Sequence, residues 1–276
     1  FPDRTSNVPA PAEIAAWSNG GTGSLSDYFH TVSYGNLRIE FTTFAQWRTM
    51  PVNNDDVTAK REWVDAVTDN CPQLFWGDVN FDLYDGVQFF TNGTTEHDGY
   101  GGMANIAYGG KTRLMPTTWF VYGTNHIFTH VVTTHEIGHS MGRMHSNNFD
   151  GDSVPYDNFW DLMSGSDYGV LNGRDPCWFE RNEKGINTRR NCIADGMASV
   201  HRLELGWIAP SRVYTVSAGT DATVQLDWLS LAGTTTNYGV IKIPINDGNY
   251  FTVEARTAQT DSYDRMLPGP GVIIHE

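Results

Sequence analysis

Between positions 135 and 145 the chain reads His-Glu-Ile-Gly-His-Ser-Met-Gly-Arg-Met-His, and each spacing in that string has its own mechanical consequence. Residues four apart on an α-helix are offset by about 40° and by roughly 6 Å along the axis, so His135 and His139 can present two imidazoles to one ion. Glu136 then falls beside such an ion, not on it. Gly142 offers a left-handed exit from the helix at little steric cost. His145, three residues further on, can return as a third nitrogen donor. Three neutral protein ligands leave the fourth position of a tetrahedral Zn2+ open, which is how a catalytic zinc site differs from a structural one. A carboxylate at Glu136 is placed to take a proton from a water whose pKa the metal lowers to about 7. The bland alternative is a set of solvated histidines on a surface helix, and the joint spacing of five fixed positions argues against it.

The same string resembles the signature of the metzincin zinc peptidases, whose other mark is a methionine turn beneath the metal. Asp161-Leu162-Met163-Ser164-Gly165 matches that mark, with Met163 expected to floor the site without ligating the ion. The stretch from Leu25 to Phe41, the glycine-rich loop and short strand ahead of the zinc helix, and the Glu204-Leu205-Gly206-Trp207 turn look like the gametolysin and immune-inhibitor-A groups of secreted peptidases. The resemblance implies an α+β metzincin-like fold: a twisted mixed sheet, an active-site helix, the methionine turn and a C-terminal helix, followed by a β-rich subdomain. It also implies that an edge strand ahead of the zinc helix, here Gly102, Met103, Ala104, Asn105 and Ile106, pairs with substrate backbone. An interior strand is the competing reading of those residues. Tyr168, five residues past Met163, is a candidate transition-state donor by the same resemblance, although its spacing from the methionine is not the usual one.

Composition narrows the classes of partner. The 276 residues hold 39% hydrophobic and 13% aromatic side chains, enough for a sizeable core. No apolar run is long enough to span a bilayer. A net charge of −14 without any basic cluster argues against nucleic acid and anionic membranes; the peptidase resemblance implies a protein or peptide substrate, and a monomer is expected. Of three cysteines, Cys177 and Cys192 bracket a polar loop and are expected to form a disulfide. Cys71 is then free and buried, or paired outside this sequence. Asn92-Gly93-Thr94 is a glycosylation sequon. The chain opens on Phe1-Pro2-Asp3 without a leader and stops at Ile273-Ile274-His275-Glu276 in mid-strand, which reads as a trimmed segment of a secreted protein.

Hydrophobic spacing predicts a short helix from Leu25 stopped near Gly35, an alternating strand to Phe41, and an amphipathic helix over Val57 to Asn70 behind a capping Asp55 or Asp56. Phe81 to Phe90 and Met103 to Tyr108 read as strands. The zinc helix is expected over Phe128 to Arg143, with His130 turned away from the metal. Asp150, Asp152 and Asp157 are spaced so that they could gather Ca2+ or simply be solvated loop acids. A helix with a glycine stop is expected between Asp195 and Trp207. From Val213 short runs at Thr223–Leu226, Val240–Ile243, Tyr250–Glu254 and Gly271–Ile274 read as strands. The expected division is a catalytic domain over 1–209 and a β-rich subdomain over 210–276.

The function these features predict is a secreted zinc endopeptidase with Glu136 as general base and His135, His139 and His145 as ligands. Two other classes stay open: a zinc-containing binding or adhesion module that does not cut, and an amidase acting on a non-peptide bond.

Overall fold

The computed structural model describes every residue except 5–7, 58, 94–98, 122–128, 150–155, 165–176, 182–186, 193, 232–234, 246–247, 259–261 and 266, and the side chains of 129, 177–181 and 187–192. The chain forms two compact units, residues 1–18 with 41–144 and residues 19–40 with 145–276.

The first unit starts with helix α1 (Pro11–Asn19), whose last residue falls outside it, and is built on a three-stranded mixed sheet. Helix α3 (Lys60–Phe75) covers one side of the sheet core, because Trp63, Val67 and Cys71 recur at four-residue spacing and are all buried with Val64. It begins later than the acids at 55 and 56 suggest. The carboxylate of Asp3 accepts the amides of Asn54 and Asp55 at 2.8 and 3.1 Å, which holds Asn54–Asp56 as a separate 3-10 turn. The helix is capped instead by the Ala59 amide donating to Glu62 at 3.2 Å. Strand β1 (Val87–Thr91) runs parallel to β3 (Lys111–Val121), and β2 (Gly99–Tyr108) runs antiparallel to β3. Only the last part of the expected Phe81–Phe90 strand forms. Asn80 accepts the Asp82 amide at 3.1 Å and turns Phe81–Leu83 into a 3-10 helix. Phe89, Ile106, Tyr108, Met115 and Trp119 meet the α3 residues in one core. Cys71 is free and buried there, its thiol pushed up to about 12 by desolvation. The Asn92 amide nitrogen of the sequon is engaged by the Phe1 and Arg4 carbonyls at 3.3 and 3.1 Å.

The second unit holds α2 (Leu25–Val32), α5 (Ser199–Glu204) and a four-stranded sheet ordered β6 (Val213–Thr215), β7 (Val240–Pro244), β8 (Tyr250–Arg256), β9 (Gly271–His275). No strand forms over 36–41. Ser33 accepts the Leu37 amide at 2.8 Å and receives Asn36 on its carbonyl at 2.9 Å, so local bonds replace a ladder. Thr223–Leu226 is likewise not a strand and contributes one isolated bridge, Leu226 to Tyr238. The helix expected from Asp195 starts only at Ser199 and does stop at Gly206, whose φ is 70°. A hairpin of β4 (Cys177–Arg181) and β5 (Asn187–Cys192) sets Cys177 opposite Cys192.

One face of the four-stranded sheet carries ions inward. Glu254 and Arg256 on β8 are fully buried; Arg256 holds Asp264 through two bonds of 2.6 and 2.9 Å, Glu254 at 3.0 Å and the Trp160 carbonyl at 2.9 Å. Glu254 also takes the Ser199 amide at the start of α5 and lies 3.3 Å from His275 Nε2. With every charge matched, such a cluster fixes geometry more than it adds stability. Here it ties the Trp160 end of the 160–164 turn to β8 and α5.

Candidate metal centre

Helix α4 (Thr129–Ser140) carries His135 and His139 four residues apart, their rings 4.7 Å apart at 85°. It ends as its sequence dictates. Gly142 adopts a φ of 80°, its amide bonds the His139 carbonyl at 2.9 Å, and the Arg143 amide bonds the Gly138 carbonyl at 3.0 Å, a Schellman closure. This turn also sets a ring. The Arg143 carbonyl lies 2.7 Å from His139 Nδ1, so Nδ1 carries the proton and Nε2 is left as the ligand atom. His130, on the far side of the helix, is buried edge-on to Trp17 at 6.5 Å.

Past the glycine the chain returns, and ligand atoms of His135, His139 and His145 all lie within 4.8 Å of one another. Zinc–nitrogen bonds of about 2.1 Å would set tetrahedral donors roughly 3.4 Å apart, within reach of small ring rotations. Three neutral imidazoles suit zinc well.

The residues after His145 are clamped to a tight turn. The Ser146 amide donates to the Met163 carbonyl at 3.1 Å, and the Ser146 hydroxyl donates to Asp161 at 2.6 Å. The turn itself closes with the Ser164 amide on the Asp161 carbonyl at 3.1 Å. Met163 and Asp161 are both fully buried. Desolvation alone would raise the Asp161 carboxyl, but His201 at 3.0 Å, Ser146 and the Ala198 amide outweigh it and hold it well below the usual range. Tyr156, which sequence reasoning passed over, sets its hydroxyl 3.2 Å from His145 Nε2 and its ring 4.5 Å from the imidazole. Its φ of 62° is rare for a non-glycine residue, and the Asn147 side chain accepts its amide at 3.0 Å. No one-dimensional pattern marks it, because loop closure alone brings it near.

Glu136 is 9% exposed, and burial pushes its carboxyl up to about 7 although the Lys60 charge and a hydrogen bond from the Gly101 amide pull the other way. This close contact explains the glycine at position 101 of β2. A Cβ there would lie 1.9 Å from the Glu136 carbonyl oxygen, so only glycine lets strand and helix approach this closely. Among the described residues β2 has β3 alone as a neighbour, which makes it an edge. Its register shows which groups are free. Gly109 and Gly110, with φ of 53° and 77°, form the two-residue loop that makes Tyr108 and Lys111 a bonded pair. Bonded pairs then recur at Ile106, Ala104 and Gly102. Gly101, Met103, Asn105 and Ala107 therefore aim their backbone groups at the open side. The Gly101 amide on Glu136, and Gln73 donating to the Ala107 carbonyl at 2.7 Å, agree with that parity.

Of the residues singled out by sequence, the three histidines come together, and Glu136 lies on the face of α4 that meets β2. Tyr168, Asp150 and Asp152 lie outside the described residues. Asp157 accepts the Asn148 amide at 2.6 Å. Among the described residues no helix is long and apolar enough to cross a membrane. Comparison with curated proteins finds no match, and neither does comparison with solved structures. Residues 31–146, less than half of the chain, match the family described as Metallo-peptidase family M12B Reprolysin-like. The matched segment runs through the last of the three histidines, and together with the mixed α+β fold it supports a metzincin-type zinc metallopeptidase acting on proteins or peptides.

Proposed function

We propose that the chain is a secreted zinc endopeptidase, close in kind to the gametolysin and immune-inhibitor-A groups, in which Glu136 is the general base. The observation that carries this reading is the gathering of His135, His139 and His145 within 4.8 Å, on a helix whose Glu136 is held by the amide of an edge strand. Zinc held by these histidines would supply Lewis-acid polarisation of the substrate carbonyl and of the attacking water. Glu136 takes the proton of that water and delivers it to the leaving amine nitrogen. Met103 and Asn105 offer outward N–H and C=O groups, so a substrate strand bonds there, while Gly102, Ala104 and Ile106 face β3. The Tyr156 hydroxyl donates to the developing oxyanion, the role the sequence had suggested for Tyr168. The Asp161–Ser164 turn, with Met163 at its third position, serves as the methionine turn and keeps the His145 segment in place through Ser146. A Cys177–Cys192 disulfide goes with secretion, supported by the opposed positions of the two residues on β4 and β5.

The test is direct. Zinc-loaded protein is incubated with casein and a mixed peptide library, and Glu136→Ala is compared for zinc content and turnover. Cleavage by the wild type, with Glu136→Ala retaining about one zinc and losing at least a thousandfold in turnover, is the expected outcome. Near-normal turnover in the variant would sink the assignment of the base. Absence of any peptide cleavage by the wild type would sink the peptidase reading.

A further inference from the structure

Lys60 is placed against the ordinary rules for a helix cation. It is the first residue of α3, where the macrodipole repels positive charge. It is only half-exposed, and among the described residues no carboxylate lies within salt-bridge distance of it. Its ammonium instead sits 5.0 Å from the centre of the Tyr100 ring, and Tyr100 is a partly exposed residue of β2. Tyr100 precedes Gly101, whose amide holds Glu136, and Met103 and Asn105 follow on the same open edge. A cation with no salt bridge among the described residues, its charge reaching Glu136 and its ammonium steadied by an aromatic face, thus borders the strand along which a substrate lies.

We infer that Lys60, steadied by Tyr100, is a specificity-determining residue that selects an acidic side chain, Asp or Glu, at one position beside the scissile bond. This rests on the peptidase reading. The chemistry is that of a partly desolvated ion pair: a substrate carboxylate would provide the ion-pair partner that Lys60 lacks among the described residues, and a substrate Lys or Arg would be repelled. The net charge of −14 sharpens the point, since the protein as a whole would draw basic peptides and a local acid preference needs a local cation.

The experiment profiles wild type, Lys60→Met and Lys60→Glu, all zinc-loaded, on a peptide library in which each position around the cleaved bond is varied among Glu, Gln and Lys. The wild type should favour Glu over Gln by about fivefold in kcat/KM at one position. Lys60→Met should bring that ratio close to one, and Lys60→Glu should reverse the preference toward Lys at that same position. A Glu-to-Gln ratio near one in the wild type, or a ratio left unchanged in both variants, overturns the inference while leaving the peptidase reading intact. A wild type that cleaves no peptide overturns both. Loss of fold cannot imitate the result, because reversal of preference at one position requires an active, folded variant.

Discussion

At the scale of single residues the meeting of His135 and His139 was legible because helical spacing alone determines where they point, and Gly142 marked where the chain could bring His145 back. Tyr156 was not, for the opposite reason: it reaches His145 through a loop whose course no periodicity encodes. That difference can be measured. Tyr156→Phe removes only the hydroxyl 3.2 Å from His145 Nε2, and the ring keeps its edge contact with the imidazole. If the hydroxyl donates to the oxyanion, kcat should fall by about tenfold to a hundredfold with little change in KM, because the bond strengthens only as charge develops. Zinc content should stay at about one per chain. Steady-state kinetics with metal analysis checks it, and a kcat within twofold of wild type would remove Tyr156 from the mechanism. Asp161 shows another limit of one-dimensional reading. In the sequence it is only the first residue of the Met-containing stretch, yet its carboxylate receives Ser146, Ala198 and His201 from segments far apart in sequence.

Among the elements, the zinc helix, its glycine stop and the strands β7, β8 and β9 follow from periodicity and turn residues. Two of the misses share a cause. The 36–41 strand and the first half of the 81–90 strand are displaced by side chains of Ser33, Asn36 and Asn80 that bond nearby backbone. Such local bonds compete with a ladder wherever the ladder is weakly paired. The glycines of β2 carry information that composition cannot separate, since a run of Gly99, Gly101 and Gly102 reads simply as flexible. In the folded protein they are not equivalent. A Cβ at Gly101 would strike the Glu136 carbonyl oxygen at 1.9 Å, whereas one at Gly102 meets nothing within 4 Å. Gly101→Ala should therefore lower unfolding free energy by about 3 kcal/mol and displace Glu136, because rigid backbone must move. Gly102→Ala should change stability by less than about 0.5 kcal/mol. Urea unfolding of both variants decides the matter, and equal effects would mean that β2 and α4 do not meet as described.

For the molecule as a whole, the surplus of acid and the buried charges make stability a function of pH whose sign can be worked out group by group. Burial alone would raise Glu254, but Arg256, His275 and Ser199 outweigh it and hold the carboxyl at about 2; Asp161 is depressed for the like reason. Depressed carboxyls contribute stability that is complete above their unfolded values, about 4, and is lost as pH falls toward the folded ones. For Glu254, a drop of roughly two units corresponds to about 3 kcal/mol. His275 and Glu136 act in the other direction. Desolvation opposes protonation of His275, yet the Glu254 carboxylate prevails and raises its pKa, so its contribution is complete below about 6.5 and lost as pH rises through the folded value. Glu136, raised to about 7 mainly by burial, binds its proton more tightly when folded and also loses stability as pH rises from about 4.5 to 7. The zinc-stripped protein should accordingly be most stable near pH 5, losing stability toward pH 2 and also above pH 5. Thermal melts in chelator across that range, followed by circular dichroism, report it. His275→Gln and Glu136→Gln should each flatten the alkaline limb and leave an acid limb, since Asp161 and Glu254 remain. A melting temperature that is level between pH 5 and pH 2.5 would show that Glu254 and Asp161 do not hold their charges buried in the folded protein.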